Sequence, residues 1–437
     1  MDRSTVGAWR GVGGLSGPQS RPKPFGKAEI MLNFIWQWIL YLNEPIHVAN
    51  IQRHFGLERK ESPTFKNSTQ CATTNGHSTP TDKVKEVSTS SSDGESSESD
   101  LDPQHYVIHN YYWYWIFKFG TTLGEEIFYA SVFPFWFWNI DGAVGRRIIN
   151  IWALSMFIGQ SLKDIVCWPR PQCPPVIRME NKWALEYGMP STHAMVSVTV
   201  PFSVILLTAN RYEYPVYIGV AIAFTWCVLV STSRLYLGMH SVADILGGLA
   251  LAALLLPVLL PLVDTLDAFL LTHPAAPGLL ITTTVTLMLL YPGSKFSSAK
   301  EDTAVILGSS MGLQLGGWIC FQMGSIRGPP IKPPYSIIWP SYEMLGLCLL
   351  RTIIGLITVV ATRAVAKSVS YATMRRVVST LRNRDKLTKE DAQDVELFVK
   401  LGSKLLTYAA IGIDVVCLAP AAFRFLNIER PTFHTEI

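Results

Sequence analysis

Residues 233–244 read S-R-L-Y-L-G-M-H-S-V-A-D and sit between two apolar runs, 214–232 and 242–264. Each run has the length of a membrane-crossing helix, about 17–25 residues. An arginine closes the first run, and a histidine and an aspartate open the second. A cation within an apolar span is costly and usually points to a function. Two further stretches are placed in the same way. Lys163–Pro171 (K-D-I-V-C-W-P-R-P) ends the run 146–167, and Pro190–His193 (P-S-T-H) opens the run 194–210.

The rest of the chain fits that reading. Of 437 residues, 49% are hydrophobic and only 16% charged, whereas soluble domains carry nearer a quarter. Nine apolar blocks are legible, near 123–139, 146–167, 194–210, 214–232, 242–264, 275–292, 303–323, 345–366 and 404–424. The expected fold is all-α, a polytopic transmembrane helical bundle of about nine spans. A net charge of +4 is too small and too scattered to suggest a nucleic-acid partner, and none is expected. The seven cysteines include no CxxC pair and no zinc-ligand spacing, though Cys167 and Cys173 flank the first motif and could pair. Residues 1–28 lack the continuous apolar core of a cleavable signal peptide.

The domain organisation follows from composition. Residues 1–104 read as an N-terminal tail that is mostly disordered, because 59–104 are too poor in apolar residues to offset the entropy of ordering. Within that tail, 29–43 are apolar but short and precede Pro45, which suits an interfacial helix. Residues 105–425 form the membrane domain, with its core at about 146–264, and 426–437 form a short C-terminal tail. The Tyr- and Trp-rich stretch 105–120 is expected along the headgroup region. A strongly basic loop runs from about Arg363 to Lys404.

The motif residues suggest phosphate chemistry. Lys163 and Arg170 are seven residues apart, about two turns, and would share a face of a continuous helix ended by Pro169 and Pro171. Ser191 or Thr192 can cap the following helix, which leaves backbone N–H groups and a partial positive charge for an anion beside His193. His240 and Asp244, four apart, would place a carboxylate against an imidazole on a helix and free the far ring nitrogen to attack. With alternating spans, all these residues gather on one membrane face.

Together the motifs resemble the type-2 phosphatidic acid phosphatase superfamily, whose signature is K-x6-R-P, P-S-G-H and S-R-x5-H-x3-D. The matching positions here are Lys163–Arg170–Pro171, Pro190–Ser191–Thr192–His193 and Ser233–Arg234–His240–Asp244. Thr192 stands where that pattern has glycine. P-S-T-H-A-M is similar to the sphingosine-1-phosphate phosphatase branch, as are L-G-E-E-I-F-Y, from Leu123, and F-P-F-W-F-W-N-I-D, from Phe133.

The resemblance implies a phosphatase-like transmembrane core acting on sphingoid base phosphates through a phosphohistidine. His240 would be the nucleophile, His193 the proton donor, and Asp244 the group that orients His240. Lys163, Arg170, Ser191, Thr192 and Arg234 would hold the phosphoryl oxygens, and no metal or other cofactor would be needed. The implied partners are the sphingoid substrate and the bilayer, in the endoplasmic reticulum membrane with the site facing the lumen. A basic 363–404 loop on that same face conflicts with the usual cytosolic placing of basic loops. The residues leave open another lipid phosphatase, a glucose-6-phosphatase-like enzyme, or a sphingoid lipid transporter without catalysis.

Overall fold

The structure is a computed structural model that describes residues 27–60, 106–180, 186–293, 297–328, 332–381 and 389–436. Nearly all of the stretch 59–104 expected to be disordered falls outside the described residues. Helix α1 (Lys27–Leu42) covers the expected short apolar helix and belongs to a separate compact unit from the chain beyond Leu42. It exposes Phe34, Trp36 and Trp38.

The second unit opens with α2 (Pro45–His54) and β1 (Leu57–Arg59), which pairs antiparallel with β2 (Tyr106–Ile108). Helix α2 and β1 lie inside the stretch 1–104 expected to be a mostly disordered tail, so 45–59 are an ordered part of it. Leu57 and Phe55 pack against Phe117, Ile177 and Tyr236, and a buried polar side chain ties the segment down. Gln52 donates to the carbonyls of Ile177 (2.6 Å) and Tyr236 (2.8 Å) and accepts from the Ile177 N–H (2.9 Å). Next comes α3 (Tyr111–Thr122), capped by Asn110. Its Phe117 is buried against Tyr236 while Tyr112 and Trp115 stay exposed. The aromatic stretch therefore packs on the protein along one side rather than lying wholly at an interface.

The helical body follows as α4 (Glu126–Asn139), α5 (Gly142–Val166), α6 (Thr192–Thr208), β3 (Tyr212–Glu213), α7 (Val216–Tyr236), α8 (Val242–Thr272), α9 (Ala276–Leu289), α10 (Ser298–Gln322), β4 (Tyr335–Ser336), α11 (Tyr342–Leu381), α12 (Lys389–Ile413) and α13 (Ala419–Phe425). A π-helical turn, Asp414–Leu418, joins the last two. A helix covers each of the nine apolar blocks, but five runs among the described residues are long and apolar enough to cross a membrane by length and composition. They are Val216–Tyr236, Val242–Thr272, Ser298–Gln322, Tyr342–Thr380 and Gln393–Phe425. Helices α6 and α9 are apolar but shorter, and α5 carries Arg146, Arg147, Lys163 and Asp164. Ile222, Phe224, Leu254, Val258 and Val360 point outward, as side chains facing lipid would.

The basic segment expected as a loop is largely helical. Helix α11 runs on to Leu381 and α12 resumes at Lys389. Arg375 and Arg376 therefore extend a helix beyond its apolar part instead of forming a flexible connection.

Packing fixes the end of the bundle away from the motifs. Arg146 of α5 donates Nε to Asp267 Oδ1 (3.0 Å) and Nη2 to Oδ2 (3.3 Å) on α8, with both side chains 1% exposed. Removing one partner of such a buried pair leaves an uncompensated charge. On α10, Gly308, Gly312 and Gly316 recur every fourth residue and let α12 approach to backbone contact; a Cβ on Gly312 would lie 1.9 Å from the Ala409 carbonyl oxygen. Gly312→Leu is thus expected to destabilise the bundle by about 1–3 kcal/mol or more. A thermal melt in detergent would show it as a lowered midpoint; an unchanged midpoint would mean α10 and α12 do not need this contact.

Candidate active site

The end of α5 decides where the first two cations go. The helix stops at Val166 because Cys167 turns left-handed (φ 53°). Arg170 is consequently not on a continuous helix with Lys163, as the seven-residue spacing suggested. It reaches the same cavity from the following loop, held by Nε to the Glu186 carbonyl (2.9 Å) and Nη1 to the Met239 carbonyl (2.6 Å).

Ser191 caps α6, accepting from the Ala194 N–H at 3.4 Å, so Thr192 and His193 occupy the first helical turn. Thr192 takes ordinary helical geometry, and no positive φ is required where the related motif has glycine. The Ser191 N–H bonds the Asp244 carbonyl (3.0 Å). Gly248 permits this contact, because a Cβ there would lie 2.4 Å from the Ser191 carbonyl oxygen.

The third motif folds differently from the expected helical pair. Ser241 caps α8, which begins at Val242, so His240 precedes the helix and Asp244 stands in its first turn. Asp244 completes a capping box: Oδ2 accepts from the Ser241 N–H (2.8 Å) and its own N–H donates to Ser241 Oγ (3.1 Å). The same Oδ2 lies 3.6 Å from His240 Nδ1, close enough for electrostatic orientation but longer than a hydrogen bond. The helix cap, not a helical i,i+4 contact, holds the carboxylate beside the ring.

All of these groups meet around one cavity. Lys163, Arg170, Thr192, His193, Arg234 and His240 line it, while Ser191 and Asp244 support them from behind. Lys163, Arg234 and His240 are 2%, 1% and 1% exposed. The cations are paired in this state: Lys163 Nζ with Glu186 Oε2 (3.1 Å), Arg170 with the same oxygen (3.6 Å), and Arg234 with Glu180 Oε2 (3.1 Å) and Thr121 Oγ1 (2.5 Å). Burial works against ionisation of Glu186, but Lys163, the Ser298 hydroxyl and Arg170 hold its pKa below the ordinary carboxylate value. Burial, aided by Arg170, Arg234 and Lys163, pushes the His240 pKa well below the ordinary imidazole value. This favours the neutral ring, the form in which an imidazole can act as a nucleophile. His193 Nε2 is buried with no hydrogen-bond partner among the described residues.

Away from this charged end the cavity becomes apolar. Four of the lining helices pass from a polar residue to an apolar one: Lys163 to Met156 and Trp152 on α5, His193 to Val196 on α6, Asp302 to Ile306 on α10, and Glu126 to Tyr129 on α4.

Residues 145–267, from early α5 to late α8, match the PAP2 superfamily. Sphingosine-1-phosphate phosphatase 1 of Rattus norvegicus is 37% identical over 72% of this chain and 73% of its own. For sphingosine-1-phosphate phosphatase 2 the identity is 36% in Mus musculus, over 74% of this chain and 91% of that one. It is 35% in Homo sapiens, over 74% and 81%. The chain belongs to the sphingosine-1-phosphate phosphatase family of the PAP2 superfamily. No solved structure matches it.

The superfamily match contains every site residue named from the sequence, from Lys163 to Asp244. Sequence reasoning missed Glu180 and Glu186, which lie in the loop between motifs with no spacing to mark them. The stretch L-G-E-E-I-F-Y, from Leu123, carries no chemistry that its spacing reveals. One role is now visible at Gly124, where a Cβ would lie 2.6 Å from His193 Cδ2. Gly124→Ala should push the imidazole aside and lower kcat by about 10²-fold, the usual cost of an ångström-scale misplacement. Wild-type kcat in that variant would mean that His193 has room to move or is not the acid.

Proposed function

We propose that this protein hydrolyses sphingosine-1-phosphate and related sphingoid base phosphates, without a metal ion, through a phosphohistidine on His240. The observation that carries the reading is the convergence of two imidazoles and three buried cations on one cavity that turns apolar away from them. Family membership and the names of the relatives support the substrate class.

The steps follow from the residues. A phosphate dianion entering the cavity meets Lys163, Arg170 and Arg234, exchanging with the carboxylates of Glu186 and Glu180. The N–H groups at the start of α6, behind the Ser191 cap, add donors to the same anion. With Nδ1 of His240 turned to Asp244, Nε2 attacks phosphorus in line. The bond from phosphorus to the sphingoid oxygen breaks as His193 passes its proton to that oxygen. Asp244 offsets the positive charge that develops on the His240 ring. His193, now neutral, takes a proton from water, whose oxygen attacks phosphorus; the phosphorus–nitrogen bond breaks and inorganic phosphate leaves. Positioning and charge neutralisation carry such a transfer.

The helical body is read as a multi-pass membrane domain of about nine spans in the endoplasmic reticulum membrane, with α1 at the interface. Shorter α4, α6 and α9 count as spans in this reading because they pack among longer neighbours. The site lies at helix ends, so a headgroup can reach water while its chain stays among helices.

The test is phosphate release from sphingosine-1-phosphate, phosphatidate and glucose-6-phosphate by membranes holding equal amounts of wild type, His240→Ala and His193→Ala. Wild type should prefer the sphingoid substrate and keep its activity in EDTA. His240→Ala should fall to background and His193→Ala by ~10²–10⁴-fold. Preference for another substrate would move the protein to a different phosphatase branch. Silence of wild type on every substrate would favour a transporter, and loss of activity in EDTA restored by Mg²⁺ would overturn the metal-free mechanism.

A further inference from the structure

The cavity has an acidic side that phosphate chemistry leaves unused. Glu125, Glu126 and Asp302 line it together with the cations. Glu126 comes from the first turn of α4 and Asp302 from the second turn of α10, and their carboxyls are hydrogen-bonding neighbours. The two groups have no cation within ion-pair distance among the described residues. Lys163 is taken by Glu186 (3.1 Å), and Lys404, which approaches Asp302, is taken by Glu301 (2.8 Å). The N-terminus of α4 accounts for one acid there, since helix dipoles favour it. It does not account for a second carboxyl set against the first from another helix.

Three buried polar atoms around the same cavity are also without partners. They are Gln160 Oε1, Tyr129 Oη and Trp152 Nε1, on side chains that are 4%, 4% and 8% exposed. Buried polar atoms are normally satisfied, so an unpaired set lining one cavity points to a ligand that supplies the missing partners. Position along α5 says which part of a ligand. Gln160 lies one turn from Lys163, ~4.5 Å along the axis, and Trp152 lies ~16 Å away, at 1.5 Å per residue. A group bonded by Gln160 is therefore a few bonds from the phosphate and at the start of the apolar section.

We infer that Glu126 and Asp302 bind the protonated amine of a sphingoid base phosphate, with Gln160 accepting from an N–H or O–H of the same head group, and so select sphingoid substrates over amine-free lipid phosphates. The inference rests on the phosphatase reading above. The chemistry matches on each count. The ligand's ammonium and neighbouring hydroxyl sit a few bonds from its phosphate, and its chain continues past them toward Tyr129, Met156 and Trp152. Two carboxyls suit a monovalent ammonium. Among the described residues no group of three carboxylate, histidine or thiol ligands converges as a metal ion would require.

The experiment compares kcat and KM of wild type, Glu126→Gln, Asp302→Asn and the double variant on sphingosine-1-phosphate and on its 2-desamino analogue with the same chain and 3-hydroxyl. Amide replacements keep shape, and activity on the analogue reports whether each variant is folded. Each single variant is expected to raise KM for sphingosine-1-phosphate by about tenfold, the worth of a hydrogen bond to a charged group, with kcat little changed. On the analogue the variants should equal wild type. Equal losses on both substrates, or an unchanged KM for the amine-bearing one, would overturn the ammonium site while leaving the phosphatase reading intact. Absence of phosphate release from either substrate by wild type would overturn both together.

Discussion

Burial of three like charges in one cavity is the constraint on which the rest of the structure depends. Lys163, Arg170 and Arg234 are 2%, 9% and 1% exposed, and desolvated cations persist only when paired and hydrogen-bonded. Glu186 answers two of them and Glu180 the third. That requirement fixes the loop between the first two motifs, because both carboxylates come from it. The loop is in turn held by Gln52, by the bond from the Met179 N–H to the Leu237 carbonyl, and by Gly238. At φ +68°, Gly238 brings its turn so close that a Cβ would lie 2.2 Å from the Ile177 carbonyl oxygen. The small N-terminal elements α2 and β1 thus serve the site by bracing the loop that neutralises it.

The same constraint explains how an anion can enter. Glu186 and Glu180 offset much of the charge on the three cations, and a phosphate dianion would offer the same charge with more oxygens. Arg170 is also held by the carbonyls of Glu186 and Met239, contacts that such an exchange would not have to break. Polarity then falls away along α4, α5, α6 and α10 within one or two turns, which suits a molecule with a charged head and a long apolar chain.

Much of this was legible in the sequence, and the failures have physical causes. The eight site residues were named from three motifs because their types and spacings are specific, and the fold brings six of them to the cavity wall with Ser191 and Asp244 behind. The geometry between them was not legible. Spacing suggested that Lys163 and Arg170 share a helix, but Cys167 adopts a left-handed turn that no periodicity announces. His240 and Asp244 looked like a helical pair, whereas Ser241 caps the helix between them. Glu186 and Glu180 could not be found, because loop residues selected by long-range charge have no local signature. Apolar blocks located the helices well, yet they overstated what length and composition alone can show about crossing. Gly308, Gly312 and Gly316 set a helix contact that hydropathy does not register.

The most direct measurement is a rapid acid-free quench of the His193→Ala protein with sphingosine-1-[³²P]phosphate, followed by mapping of any labelled peptide. Because His193 serves both steps, the intermediate should form slowly but outlast that of the wild type: a base-stable, acid-labile phosphohistidine on the peptide containing His240, absent when His240→Ala is added. Continued phosphate release with no labelled peptide, or a label on any other residue, would contradict attack by His240.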